Sequence, residues 1–234
     1  MSTHHATEAA VWQSAALLLS YPDGRLLADL PVVRRIVDHV PDETAAMLLR
    51  VVAHLESTPL TELQAAYVET FDTRRRHSLY LTYFAHGDTR KRGTALLRFK
   101  QTYLAAGFVL DQEAGGELPD HLCVVLEFAA TVDREQGRRL LLDHRAGLEL
   151  LRLSLTEAGS PWSGAVEAVC AMLPALHGDE RSAIRLLAEQ GPPAEEVGLS
   201  PYGGPAFDAL LHETTGVQET VDLPMPAVRQ EVGG

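Results

Sequence analysis

The chain has 234 residues, 46% apolar and 22% charged, as expected of a globular protein that buries one core, with or without a mobile tail. Its net charge of −12 argues against general nucleic-acid binding, because most of such a surface repels phosphates. Two distant cysteines, Cys123 and Cys170, without CxxC or Cys/His spacing, argue against a disulfide framework or a structural zinc site.

No run approaches the ~18 apolar residues that a membrane-spanning helix needs, and MSTHHATEAAVWQ has no basic start followed by an apolar core. A soluble, cytoplasmic protein without direct membrane insertion is expected. Thr7–Ser20 carries apolar residues at helical spacing, and Tyr21-Pro22-Asp23-Gly24 stops it with turn chemistry. Leu26–Asp38 reads as short helical pieces broken by Pro31. Thr44–Leu55 repeats at three and four through Leu48, Val51, Val52 and Leu55. Thr58-Pro59 has the form of an N-cap followed by proline at the first helical position, and the helix it opens carries Leu60, Leu63, Tyr67 and Phe71 on one stripe.

After Phe71 the periodicity fails. His86-Gly87-Asp88 is a turn, and Asp88 is placed to cap a helix reaching about Ala106, with Gly93, Leu96, Phe99 and Tyr103 on its apolar face. Residues 112–117 form a loop. Asp120 is placed to cap the next helix, whose LCVVLEFAA core is apolar almost all round and therefore central. A long helix over about 135–156, one led by Ser160-Pro161-Trp162, and one over 180–189 follow. Beyond Gly191 prolines and glycines recur, with one short amphipathic piece at Ala206–His212. The expected fold is all-α: one helical domain of about eight to ten helices over 1–195, with a loosely structured, mobile C-terminal tail over 196–234.

Charge is unevenly distributed. Residues 74–100 hold eight Lys/Arg against Asp88, so this window carries +7 and the rest of the chain −19. Arg90-Lys91-Arg92 would occupy a first helical turn, where cations oppose the helix dipole. They are either solvated or answered by a negative group, a ligand anion or a buried carboxylate. Arg74-Arg75-Arg76 reads as a solvated loop. Glu127, among apolar neighbours, is either on the helix's exposed line or paired; an arginine of 90–92 is the expected partner. Asp120-His121 has the residue types of an acid/base pair, but adjacent residues at a helix start do not usually face each other. No nucleophile sits in a known motif, and His4-His5 is too weak a metal signal to use. Tyr67, Phe71, Tyr80, Tyr83 and Phe84 either line a groove for a peptide or are plain core.

YVETFD, SLYLTYFAHGDTRKRG with its continuation LLRFKQTYLAAG, and ELPDHLCVVLEFAA resemble the respiratory nitrate reductase assembly chaperones. This is the NarJ family of nitrate reductase delta subunits, or molybdenum cofactor assembly chaperones, within the wider group of molybdoenzyme-specific chaperones. The resemblance covers about residues 8–175, with a weaker likeness at VGLSPYGGP. It implies a non-catalytic, all-helical protein that binds the apo catalytic (alpha) subunit of nitrate reductase, including its N-terminal segment. Such a chaperone holds no cofactor stably but assists insertion of the molybdenum cofactor into its client; molybdenum cofactor biosynthesis proteins are a second partner class.

By the same resemblance, Asp120 and His121 take part in peptide recognition. Tyr67, Phe71, Tyr80, Tyr83 and His86 are assigned as client-binding neighbours, and Arg90, Arg92, Gly93 and Glu127 as structural or anion-facing. The alternative is a small anion- or nucleic-acid-binding helical module built on the 74–100 window.

Overall fold

The computed structural model describes residues 2–110 and 116–190. Among these residues eleven helices follow one another: α1 (Ser2–Leu18), α2 (Gly24–Val37), α3 (Asp42–Ser57), α4 (Leu60–Phe71), α5 (Leu81–His86), α6 (Arg90–Ala105), α7 (Leu122–Thr131), α8 (Arg134–Asp143), α9 (Arg145–Glu157), α10 (Ser163–Ala171) and α11 (Gly178–Gln190). A 3-10 turn, Arg75–His77, lies between α4 and α5. The fold is all-α, as the periodicities predict. Among the described residues the one β-type feature is an antiparallel bridge pairing Tyr80 with His121. The expected tail, with VGLSPYGGP and Ala206–His212, lies outside the described residues.

Helix α7 is the hub. It buries Leu122, Val125, Leu126, Phe128 and Ala129, and it packs mainly on α1 and α8. Its contact with α8 is close: a Cβ on Gly137 would stand 2.3 Å from the Cβ of Ala129, so only glycine allows this approach. Trp12 and Trp162 are fully buried, and the Trp162 ring packs edge-on against His54 of α3 and Tyr67 and Phe71 of α4. Gly147 makes the corresponding seat for α5 on α9, where an added Cβ would lie 2.7 Å from Phe84.

Four expectations of detail are corrected. Pro31 does not break Leu26–Asp38; it sits exposed inside α2, which Asp23 caps by accepting a hydrogen bond from Leu26 N at 2.7 Å. The expected 135–156 helix is two helices with a break at His144, whose Nδ1–H donates to the Leu140 carbonyl at 2.9 Å. Thr58 ends α3, and Pro59 is the capping position of α4. Thr89, not Asp88, precedes α6 without a side-chain cap, and of the expected apolar stripe only Phe99 and Tyr103 are buried.

Two buried ion clusters had no counterpart in the sequence reading. Glu8, 1% exposed, accepts hydrogen bonds from Arg134 at 2.8 Å and from Arg138, tying α1 to α8. Glu149 is held on both sides, by Arg145 and Arg152 at 2.6 Å each, along α9. Each carboxylate is doubly answered, as a buried charge requires.

Candidate peptide-binding cleft

The cleft is assembled where the chain enters α5 and α7. Leu81 N donates to the Asp120 carbonyl at 3.0 Å and Leu122 N to the Leu79 carbonyl at 2.8 Å, so the two helix starts are stitched together. A tight turn precedes α7, with His121 N donating to the Leu118 carbonyl at 2.9 Å, and Tyr103 Oη fixes it by donating to the Pro119 carbonyl at 2.7 Å.

This geometry changes the meaning of Asp120. Its side chain is fully buried and does not cap its own helix. Oδ2 accepts from Thr82 Oγ1 at 2.5 Å and from Thr82 N at 3.2 Å, so it answers a free N–H in the first turn of α5. Arg92 completes the group. Its Nε donates to Thr82 Oγ1 at 3.2 Å, its Nη2 lies 3.7 Å from Asp120 Oδ2, and its Nη1 donates to Asp88 at 3.3 Å. An inward-facing arginine of the 90–92 run thus has a buried carboxylate partner, but the partner is Asp120. Glu127 is exposed on α7, so the expected Glu127–arginine pair is not formed.

His121 is 6% exposed, and desolvation lowers its pKa against the opposing pull of Glu117 and Asp120. Its Nδ1 has no hydrogen-bond partner, and neither has Asp120 Oδ1, so the two side chains are not coupled as an acid/base pair. The Tyr80 ring stands edge-on to His121 at 5.2 Å between centroids, with the Arg92 guanidinium 5.2 Å from the ring centre. Tyr80 Oη donates to Glu117 at 2.9 Å; burial first, then this carboxylate, pushes the Tyr80 hydroxyl pKa up.

Around this wall lies a cleft of about 520 Å³. Tyr67, Phe71, Tyr80, Tyr83 and His121 line it together, joined by Tyr21. Tyr67 is anchored by its hydroxyl to the Leu19 carbonyl at 2.8 Å and packs against Phe71 at 4.6 Å and Tyr21 at 5.5 Å between centroids. The polar rim is bipolar: Asp72, Asp88 and Glu117 against Arg74, Arg75 and Arg92.

Not every residue singled out from sequence is here. Asp120 lies behind the wall. His86 belongs to a separate groove of about 750 Å³ with Lys91, Phe99 and His144. Arg90 and Gly93 are exposed on α6, and a Cβ on Gly93 would meet nothing, so no close packing requires that glycine. Tyr21, Thr82 and Glu117 belong to the site without any signal of it in the sequence; they sit singly in turns or at a helix start, where no periodicity marks them. Much of the remaining basic window is engaged locally: Arg74 with Glu69 at 3.3 Å, Arg98 with Asp143 at 2.6 Å, and Arg76 on the Ala188 carbonyl at 3.1 Å. Among the described residues no group of three or more His, Cys, Asp or Glu is placed to hold a metal ion, and no helix is long and apolar enough to cross a membrane.

Residues 38–168 match the family described as nitrate reductase delta subunit, and the match contains the aromatic block, the basic helix start and the LPDHL turn that build the cleft. The chain belongs to this family. It is 44% identical over 160 residues to the nitrate reductase-like protein NarX of Mycobacterium tuberculosis, an alignment covering 68% of this chain and 24% of that one. It is 31% identical over 163 residues to the probable nitrate reductase molybdenum cofactor assembly chaperone NarJ of Bacillus subtilis, covering 69% and 87%. The corresponding NarJ of Escherichia coli is 31% identical over 149 residues, with 62% of each chain covered. The matched part thus spans about a quarter of the NarX protein and most of the Bacillus delta-family protein. The family resemblance carried by the three sequence blocks is confirmed.

Proposed function

We propose that this chain is a non-catalytic, system-specific chaperone of a respiratory nitrate reductase. It binds the apo catalytic (alpha) subunit in the cytoplasm, including its N-terminal segment, and holds it competent for molybdenum cofactor insertion before membrane docking. It retains no cofactor itself, and molybdenum cofactor biosynthesis proteins are the other components it meets in that process.

The observation that carries this reading is the aromatic cleft beside the Asp120-His121 turn. Aromatic rings offer large contact area at little entropic cost, which suits capture of the apolar side of a peptide helix. The acidic remainder of the chain attracts a basic segment and orients it. The basic window gives the nucleic-acid alternative less support, because Arg74, Arg92 and Arg98 have carboxylate partners of their own.

Calorimetric titration with the N-terminal peptide of the alpha subunit tests the proposal. Tyr21, 49% exposed on the cleft, can be replaced without disturbing the core. Tyr21→Ala and His121→Asn should each weaken binding about fivefold or more, the loss of one aromatic or polar anchor. Equal affinity in both variants would remove the cleft from the reading, and failure of the alpha subunit to co-purify with the tagged chain from nitrate-respiring cells would remove the client.

A further inference from the structure

The carboxylates of the cleft are not equivalent. Asp120 is committed to Thr82 and Arg92, and Asp88 stands 3.3 Å from the same arginine. Asp72 closes α4 and shares its short connection with Arg74 and Arg75, whose charges offset its field. Glu117 differs from all three. It is exposed, and although Arg74, Arg75 and Arg92 line the same cleft, no cation among the described residues is within ion-pair distance of it. Its Oε2 accepts a hydrogen bond from the neutral Tyr80 hydroxyl at 2.9 Å. Beside it buried His121 lines the cleft, its Nδ1 enclosed and without a hydrogen-bond partner.

A hydrogen bond from a neutral hydroxyl leaves the full charge of a carboxylate unanswered, whereas an ammonium or guanidinium donor makes a shorter and stronger bond. The other oxygen of the Glu117 carboxylate can accept such a donor while the Tyr80 hydroxyl stays in place. Arg92 does not supply that cation: Thr82, Asp88 and Asp120 hold its guanidinium over the Tyr80 ring.

We infer that Glu117 is a specificity-determining residue of the cleft, receiving a lysine or arginine side chain that neighbours the apolar stretch of the bound segment. The inference rests on the peptide-binding reading above and names the group by which the segment is told from other apolar helices.

The test is a calorimetric cycle with the full chain and two synthetic peptides: the N-terminal segment of the alpha subunit, and the same segment with every Lys and Arg replaced by Gln. Glu117→Gln keeps the shape and the hydrogen bond to Tyr80 while removing the charge. It should weaken binding of the basic peptide about twofold to fivefold at low salt, by the size of one partly exposed charge pair. The difference should shrink as salt is raised. The Gln-substituted peptide should bind both forms equally, and the thermal midpoint of the variant should match that of the parent chain. Unchanged affinity for the basic peptide overturns the inference while leaving peptide binding intact. An equal loss for both peptides also overturns it, since Glu117 would then act through Tyr80 and not through charge. No binding of the basic peptide by the parent chain overturns both this inference and the peptide-binding reading.

Discussion

Asp120 accepts two hydrogen bonds from Thr82 and faces Arg92 from a site with no solvent exposure. Removing it strands a part-buried guanidinium and an N–H of α5, so Asp120→Ala should destabilise the fold by ~3–5 kcal/mol in urea unfolding. Glu127→Ala, from the exposed line of α7, should leave the unfolding midpoint where it was. Loss of peptide binding in an Asp120 variant would therefore report damage to the wall of the cleft and not a lost contact with the peptide; His121→Asn is the cleaner probe. Both carboxylates were visible in the sequence as charges beside apolar residues. Which one turns inward was not, because it depends on the Tyr80–His121 bridge, a contact between distant segments that no local pattern encodes. The five cleft-lining residues that were legible share aromatic or imidazole rings; Glu117 and Tyr21 needed the fold to bring them alongside.

At the level of helices, the apolar spacing sufficed to find nearly every one but misjudged where some end. Leucines recur at three and four on both sides of His144, so α8 and α9 read as one helix. The break is imposed by what they pack on, α7 through Gly137 and α5 through Gly147. Gly147→Ala would drive a methyl to 2.7 Å from Phe84, against a fully buried ring on the element that carries Thr82 and Tyr83. It should cost ~1–3 kcal/mol by overpacking. Because α5 must shift, the intensity of near-ultraviolet aromatic circular dichroism should fall with it; an unaltered spectrum and midpoint would mean that α5 and α9 are not tightly seated. Pro31 misled in the opposite direction. A proline deletes one helical hydrogen bond, but on an exposed face water can replace it, and the Asp23 cap helps hold α2 together.

Over the whole molecule, three histidines share one electrostatic condition. Burial lowers the pKa of His54, His121 and His144 below the ordinary value. The unfolded chain therefore takes up protons near pH 6.5 that the folded chain refuses. Their contribution to stability is intact above that pH and is lost progressively as the pH falls from about 6.5 toward their lower folded values. Urea midpoints should be flat from pH 8 to 7 and decline below about 6.5, before the carboxylates titrate. His144→Gln should reduce that decline, and a midpoint that rises on acidification would contradict the burial of these rings. The two hydrogen bonds that join the starts of α5 and α7 have a consequence of another kind. They close a loop of roughly forty residues containing all of α6, and closing such a loop carries an entropic cost that short-range helix formation does not. The helices before it can form on local information as the chain is made, but the wall of the cleft exists only once both ends of that loop have met. A newly made copy thus cannot present a finished cleft until its chain has been made past the start of α7.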